Sequence, residues 1–342
     1  MKLIKYPDIE QFRHTVKKIK NKTAFQGMDK NDEPIFDYSI PQPTLKATGT
    51  VKLHGTNASI NYGYNEFWCQ SRERIITITN DNAGFAGFIE RNKEVCLDLL
   101  SEVVNKNKID IHKNYVSIYG EWCGKGIQKG VAINQLPKMF VVFGCKVSPK
   151  DDTPAYWVDC KYIKSPENQI YNIYDFETFE LEIDFNHPEI ANNKLIEITK
   201  SVEDCCPVGK AFGVEGTGEG VVWNINLSDE IIRWKVKGEK HSRSKVKTPK
   251  KVDLEKLAKI DKCVEKIIHN WRFEQGLTEV FGQDYEKNLD RKRIGEYLKW
   301  ISKDTIKEES DIIIESGFNV KEVMPKVVKK AKEYFFEVEN NL

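Results

Sequence analysis

The apolar residues of this 342-residue chain change their spacing once, near residue 240, and that change restricts what the chain can fold into. From about residue 45 to 237 they come in short or alternating runs, clearest in Tyr115-Val-Ser-Ile-Tyr, Met139-Phe-Val-Val-Phe and Gly220-Val-Val-Trp. Side chains on a strand alternate faces with period two, so such runs predict strands. Helical spacing interrupts them within Ala83–Asn105 and Glu189–Glu203. Beyond 253 the spacing is three and four throughout. Leu254, Leu257, Ile260, Val264, Ile267 and Trp271 form one stripe; Ile294, Leu298 and Ile301 form a second; Val323, Val327, Val328, Ala331 and Phe335 form a third. Each stripe predicts a helix with one buried face, and stripes of this kind are core. The order of elements lacks the βαβ alternation of a doubly wound sheet. It predicts an α+β architecture, with antiparallel sheets flanking a cleft over residues 1–240 and a small all-helical C-terminal domain over 253–342. Residues 241–252 between them are basic, polar and broken by Pro249, a linker composition. At the N-terminus Asp8, with Gln11 three positions on, reads as a helix start, followed by Ile9, Phe12, Val16 and Ile19 at near-helical spacing.

Composition narrows the class. Hydrophobic residues at 40% and charged residues at 31% are the balance of a globular protein in water. Lys+Arg (53) nearly cancel Asp+Glu (52), which disfavours a histone-like polyanion binder but leaves room for a local basic groove. Eight cysteines occur without a C-x-x-C pair. Neither a zinc site nor a disulfide framework fits, so reduced thiols and a cytoplasmic location are expected. No stretch approaches the length of a membrane span, and no membrane partner is expected.

The chemistry centres on residues 51–57, Val-Lys-Leu-His-Gly-Thr-Asn. Strand-like segments, Thr44–Val51 and Ala58–Tyr62, flank a tight turn in which Gly55 supplies backbone freedom. Lys52 at the mouth of this turn sits on a rigid element facing a cleft. If burial and basic neighbours there lower its pKa, part of the population is a neutral amine that can attack an electrophile. Alone, the same pattern fits an ordinary surface lysine beside a hairpin. Downstream follow Gln70-Ser-Arg72-Glu-Arg74, Tyr119-Gly-Glu121-Trp122, Phe140-Val-Val-Phe143, Gly218-Glu219-Gly-Val-Val222 and Arg233-Trp-Lys235-Val-Lys237. Taken singly, Glu121 and Glu219 fit solvated strand ends, Phe143 a core aromatic, and Lys235 and Lys237 the solvent face of an edge strand.

In this order the motifs resemble those of the covalent nucleotidyltransferase superfamily of ATP-dependent ligases and capping enzymes. Lys52-Leu-His-Gly-Thr-Asn57 is similar to the nucleophile motif of the RNA ligase 2 family within it. Tyr119-Gly-Glu-Trp-Cys-Gly-Lys-Gly-Ile-Gln-Lys129 and Cys206-Pro-Val-Gly-Lys-Ala-Phe-Gly213 support that branch. The resemblance runs from about Val51 to Ser242, and the helical tail is compatible with it. It implies an ATP-grasp-like ligase fold and an ATP-dependent RNA ligase with Mg²⁺ as cofactor, acting as a monomer on nicked duplex or annealed RNA ends. It further implies that Lys52 attacks the α-phosphate of ATP, that AMP passes to an RNA 5′-phosphate, and that a 3′-OH then displaces AMP.

Roles for the other residues come with the same resemblance. Lys235 and Lys237 would hold phosphate oxygens and assist the nucleophile, and Glu219 would ligate Mg²⁺ through water. Arg72 would contact ribose or phosphate, Glu121 the ribose hydroxyls, and Phe143 the adenine face. His54, Thr56 and Asn57 would position loop and phosphate, while His241 and Ser242 would orient the leaving pyrophosphate. Two positions depart from the wider superfamily. His54 stands where DNA ligases and capping enzymes carry Asp, which favours the RNA branch, and Asn224 stands where many members carry Lys. A DNA ligase or a GTP-dependent capping-type enzyme would normally append a β-rich OB module, where residues 253–342 read helical. A catalytically silent RNA-binding module would have lost charged positions that are present here. The segment before Lys52 is longer than in the compact phage members and carries no reading beyond packing or RNA contact.

Overall fold

The computed structural model describes residues 1–30, 32–227, 230–241 and 251–342. Helix α1 (Phe12–Ala24) leads into strands β1 (Phe25–Met28) and β2 (Pro34–Phe36), then β3 (Thr44–Lys52), β4 (Thr56–Gly63), β5 (Glu66–Ser71) and β6 (Ile75–Ile76). Helices α2 (Phe85–Arg91) and α3 (Lys93–Lys106) precede β7 (Asn114–Cys123), β8 (Met139–Pro149), β9 (Tyr156–Val158), β10 (Ile170–Asn172) and β11 (Thr178–Asp184). Next come α4 (Ala191–Asp204), α5 (Pro207–Ala211), β12 (Gly220–Asn226) and β13 (Ile231–Lys237). The chain ends in α6 (Leu254–Ile267), α7 (Asn270–Phe281), α8 (Tyr285–Asn288), α9 (Ile294–Glu315) and α10 (Val320–Asn341). Two compact units result. The first comprises Met1–Thr15, Leu45–Ile183 and Ala191–Lys250; the second comprises Val16–Thr44, Asp184–Ile190 and Lys251–Leu342.

The first unit contains two sheets. The larger runs in the order β10-β8-β7-β4-β5-β6, with β9 on β8, and the smaller in the order β11-β3-β12-β13. β10 pairs with β8 in parallel, whereas β3 with β12, β12 with β13, β4 with β5 and β7, β5 with β6, and β8 with β7 and β9 pair antiparallel. On the larger sheet, apolar side chains of one face (Ile60, Ile118, Trp122, Phe140) pack with Phe85, Leu99, Leu100 and Val103 of α2 and α3. The smaller sheet shows the period-two logic plainly. Val221, Trp223 and Ile225 on β12 and Ile232, Trp234 and Val236 on β13 are buried, while Arg233, Lys235 and Lys237 between them are only half-buried.

Two expectations change here. The segments flanking residues 51–57 are strands, but they do not pair with each other: β3 lies beside β11 and β12, and β4 between β5 and β7. The tight turn therefore crosses from one sheet to the other. Turn chemistry specifies a reversal or a corner without naming the strands' partners, which is why a hairpin looked adequate. Gly55 is also not among the glycines with positive φ. What demands glycine is proximity, since a Cβ there would lie 2.4 Å from the Trp122 carbonyl oxygen. The second change concerns the N-terminus. The helix starts at Phe12, not near Asp8, because the preceding residues have other partners. Glu10 forms a parallel bridge to Trp234, its carbonyl accepts from the Lys235 amide at 3.0 Å, and the Asp8 carboxylate engages Arg72.

The second unit buries the predicted stripes largely as expected: Ile260, Val264, Ile267, Ile301, Val323, Val327, Ala331 and Phe335 share one core with Phe273, Leu277 and Tyr297. Leu254 and Trp271, at the ends of the first stripe, are exposed. Asn319 and Glu322 form a reciprocal capping box at the start of α10. Buried Arg272 is neutralised by Asp304 at 3.1 Å and Glu309 at 2.5 Å, as a desolvated charge requires. All eight cysteines are unpaired. Among the described residues no helix is long and apolar enough to cross a membrane. Of the linker expected over 241–252, residues 242–250, including Ser242, lie outside the described residues.

Candidate active site

The register of the smaller sheet builds the first wall. Lys52 stands opposite Gly220, which stands opposite Lys237, while Thr50 faces Val222 and Val222 faces Lys235. Because successive residues alternate faces, Thr50, Lys52, Val222, Asn224 and Lys235 front one cavity, and Val221, Trp223 and Trp234 are buried behind them. Glu219, the residue before β12, closes the set. The Lys52 ammonium donates to its Oε2 at 2.6 Å, Lys237 Nζ lies 2.7 Å from its Oε1, and His54 Nδ1 lies 3.1 Å from its Oε2. The Glu219 side chain is only 1% exposed. Burial by itself would push its pKa up, but the charge of Lys52 and hydrogen bonds from Lys237 and Lys52 outweigh that and hold it at about 2. Glu219 is therefore an anion throughout the physiological range.

The larger sheet builds the second wall. Asn57 on β4 stands opposite Glu121 on β7, and the Gly55 amide donates to Glu121 Oε1 at 3.0 Å. Burial pushes the Glu121 carboxyl up to about 7, against the charge of Lys52 and the Gly55 hydrogen bond. Arg72, just beyond β5, is held by Asp8. Thr56 Oγ1 accepts from Asn82 Nδ2 at 3.1 Å. Phe143 on β8 meets the ring of Tyr6 edge-on, with centroids 5.1 Å apart at 75°. Lys235 is pushed below the usual lysine range by burial, then by the charges of Lys52, Lys237 and Arg72.

The cavity between these walls measures about 340 Å³. Seven predicted residues line it: Lys52, Thr56, Asn57, Arg72, Glu121, Phe143 and Lys235. The other three, His54, Glu219 and Lys237, join Lys52 through the Glu219 carboxylate. His241 lies beside His54 with ring centroids 5.4 Å apart, and its buried Nε2 has no hydrogen-bond partner. Its pKa is pushed down by burial and by His54. Residues not anticipated also line the cavity, among them Tyr6, Ile9, Ile173, Tyr174, Thr50 and Val222. Thr50 and Val222 were findable by counting two back from Lys52 and across from Lys235. Nothing in the local pattern of Tyr6-Pro-Asp8 signals a place in this wall.

Chemically, the site sets the Lys52 amine beside three further cations, Lys235, Lys237 and Arg72, and an aromatic face, with two carboxylates, Glu219 and Glu121, among them. Among the described residues no three His, Cys, Asp or Glu could hold a metal ion by themselves. Both Glu219 carboxylate oxygens, the hard donors a divalent cation would use, face cations of the site, Oε2 facing Lys52 and His54 and Oε1 facing Lys237.

A family model described as RNA ligase matches residues 46–246. Among curated proteins, none matches the chain. Among solved structures it is similar to a Naegleria gruberi RNA ligase with PPi, at 15% identity and a TM-score of 0.42, covering 70% of this chain and 57% of that one. Two point mutants of that ligase give similar values: one with ATP and Mn at 16% identity and 0.42, one with AMP and Mn at 14% and 0.41, each with the same 70% and 57% coverage. The chain thus spans a little over half the length of these solved chains.

Proposed function

The chain belongs to the RNA ligase family, and from that membership we propose that it is an ATP-dependent RNA ligase, joining 3′-OH and 5′-phosphate RNA ends at nicks in duplex RNA through a lysyl-AMP on Lys52. The observation that carries this reading is the row Lys52–Gly220–Lys237, clamped by the Glu219 carboxylate beside a cavity with Phe143 in its opposite wall. An amine held among phosphate-binding cations, with an aromatic face in reach, suits attack on the phosphate of a bound nucleotide.

Attack requires Lys52 to leave Glu219, and Lys237 stays behind to neutralise that carboxylate. The Lys52 amine, its proton released to solvent, bonds to the α-phosphorus as the bond to the bridging oxygen breaks and pyrophosphate departs. An oxygen of the RNA 5′-phosphate then takes AMP from Lys52, and a 3′-OH attacks the RNA phosphorus and expels AMP. Lys235 and Lys237 bind phosphate oxygens through these steps. Arg72, released from Asp8, reaches ribose or phosphate, Glu121 takes the ribose hydroxyls, and Phe143 stacks on adenine, worth about 1–3 kcal/mol. His54, Thr56 and Asn57 hold the crossing between the sheets and the phosphates beside it. Bound Mg²⁺ at Glu219 would supply charge neutralisation to the triphosphate.

Incubation with α-labelled ATP and Mg²⁺ tests the reading. The wild-type chain should become covalently labelled, Lys52→Ala should not, and labelled enzyme should transfer AMP to a nicked RNA duplex. Unlabelled wild type, or equal labelling of Lys52→Ala, would overturn it; labelling from GTP in place of ATP would assign a capping-type enzyme.

A further inference from the structure

The connection from β7 to β8, residues 124–138, contains much of a motif stretch that the nucleotide site leaves unused. It holds Lys125, Lys129 and Lys138 but no acidic residue and no arginine, in a chain whose charges otherwise nearly cancel. All three lysines are exposed, and none makes an ion pair among the described residues. Lys138 Nζ donates to the Ala83 carbonyl oxygen at 2.7 Å, a neutral partner that leaves its charge in place. The carboxylates flanking these contacts face backbone amides instead of the lysines. Asp81 accepts from the amides of Asn82, Ala86 and Gly87, and Glu121 accepts from that of Gly55.

Scattered surface lysines are an ordinary solvated face, but this connection has a fixed backbone. The Lys125 amide donates to the Leu136 carbonyl at 2.9 Å and the Ala132 amide to the Thr217 carbonyl at 2.8 Å, with Ala132, Ile133 and Leu136 buried. Gly124 has a φ of 120°, and a Cβ on it would lie 2.5 Å from the Pro137 carbonyl oxygen and 2.8 Å from Lys138 Cα. The roots of Lys125 and Lys138 are thereby held side by side. Gln128 Nε2 then donates to the Gly55 carbonyl oxygen at 3.2 Å, which seats the connection on the crossing that begins at Lys52. Unpaired ammoniums fixed beside the nucleophile raise the local concentration of a polyanion there. Lysines contact backbone phosphates as point charges and read no bases.

We propose that Lys125, Lys129 and Lys138 hold backbone phosphates of the RNA end brought to Lys52, on a platform that Gln128 fixes to the crossing. The platform lies wholly within the first unit. It binds and positions, and takes no part in the bond-making steps. The proposal rests on the RNA ligase reading, because RNA is the polyanion that reading supplies. Each phosphate contact contributes about 0.9 to the slope of log K against log salt concentration.

The test uses the full chain and a fluorescent nicked RNA duplex, with binding measured by anisotropy over a salt series and Lys52 labelling followed in parallel. The triple variant Lys125→Gln, Lys129→Gln, Lys138→Gln should bind at least about tenfold more weakly, with a salt slope shallower by about one to three. Its labelling from α-labelled ATP should be undiminished, and AMP transfer to RNA should show a raised KM for RNA at unchanged kcat. The triple arginine variant, which keeps the charges, should retain wild-type slope and affinity. A glutamine variant with wild-type slope and affinity overturns the proposal, as does an arginine variant as weak as the glutamine one. A raised KM for ATP in the labelling reaction, with RNA binding unchanged, assigns the lysines to the triphosphate and overturns the RNA assignment. Wild type that neither takes label nor binds the duplex overturns the ligase reading itself, a result separable from any failure confined to the variants.

Discussion

Two carboxylates of the site sit in opposed electrostatic circumstances. Glu219 is held near 2 by the ammoniums that clamp it, whereas Glu121, which faces a backbone amide and only the outer field of Lys52, is pushed by burial up to about 7. Their effects on stability therefore have opposite sign. Glu219 stabilises the folded chain above its ordinary value of 4.5, and that contribution is lost as pH falls toward 2. Between pH 4.5 and 7 the folded chain holds a proton on Glu121 that the unfolded chain has released, so stability falls as pH rises through that window. Gln keeps the shape of Glu121 and can still accept the Gly55 hydrogen bond, but it never ionises. Glu121→Gln should thus be more stable than wild type above pH 7, by about 3 kcal/mol at most, and equal to it near pH 4.5. Thermal unfolding at pH 4.5 and pH 8 reads this directly, and a difference independent of pH would contradict it.

Between elements, the decisive feature is the three-residue crossing from β3 to β4, which ends one sheet at Lys52 and begins the other at Thr56. Gly55 is pressed on the Trp122 carbonyl, the Cys123 side chain and the Glu121 side chain at distances of 2.4, 2.8 and 3.0 Å from where a Cβ would sit. Gly55→Ala must push the crossing away from β7, moving Lys52 and loosening the hydrogen bond to Glu121. A destabilisation of about 1–3 kcal/mol is expected, the usual cost of overpacking, together with a fall in Lys52 labelling larger than the loss of folded protein. Wild-type labelling by Gly55→Ala at full folding would show that the crossing tolerates displacement. Behind the Lys52 row, the stacked pair Trp223 and Trp234 (centroids 6.2 Å apart, 12°) fills the other face of the smaller sheet and gives the site a rigid backing.

Across the whole molecule, each unit has its own core, and the residues around Lys52 all belong to the first. Phe335 is fully buried in the second core against Phe281, Tyr297 and Phe336. Phe335→Ala should cost about 3–5 kcal/mol in the second unit. Labelling of Lys52 should survive while sealing of a nicked duplex is lost. Measuring denaturant unfolding alongside both reactions checks this, and labelling lost in step with the second unit would mean the two cores unfold as one.

Much of this protein was legible in its residues. Period-two and 3.6-residue patterns are local, so the sheets of the first unit and the helices of the second could be read directly, and motif order singled out ten site residues that the fold gathers around one cavity. What the sequence could not supply is pairing over distance. Lys52 meets Glu219 across 167 positions, β3 and β4 part company into different sheets, Tyr6 lines the cavity, and Asp8 engages Arg72 in place of starting a helix. Residues 16–44 packing in the second unit belong to the same class. Such contacts leave no periodic trace, because a partner far along the chain is chosen by shape, charge and buried area once the sheets and helices exist, and only the tertiary structure contains that choice.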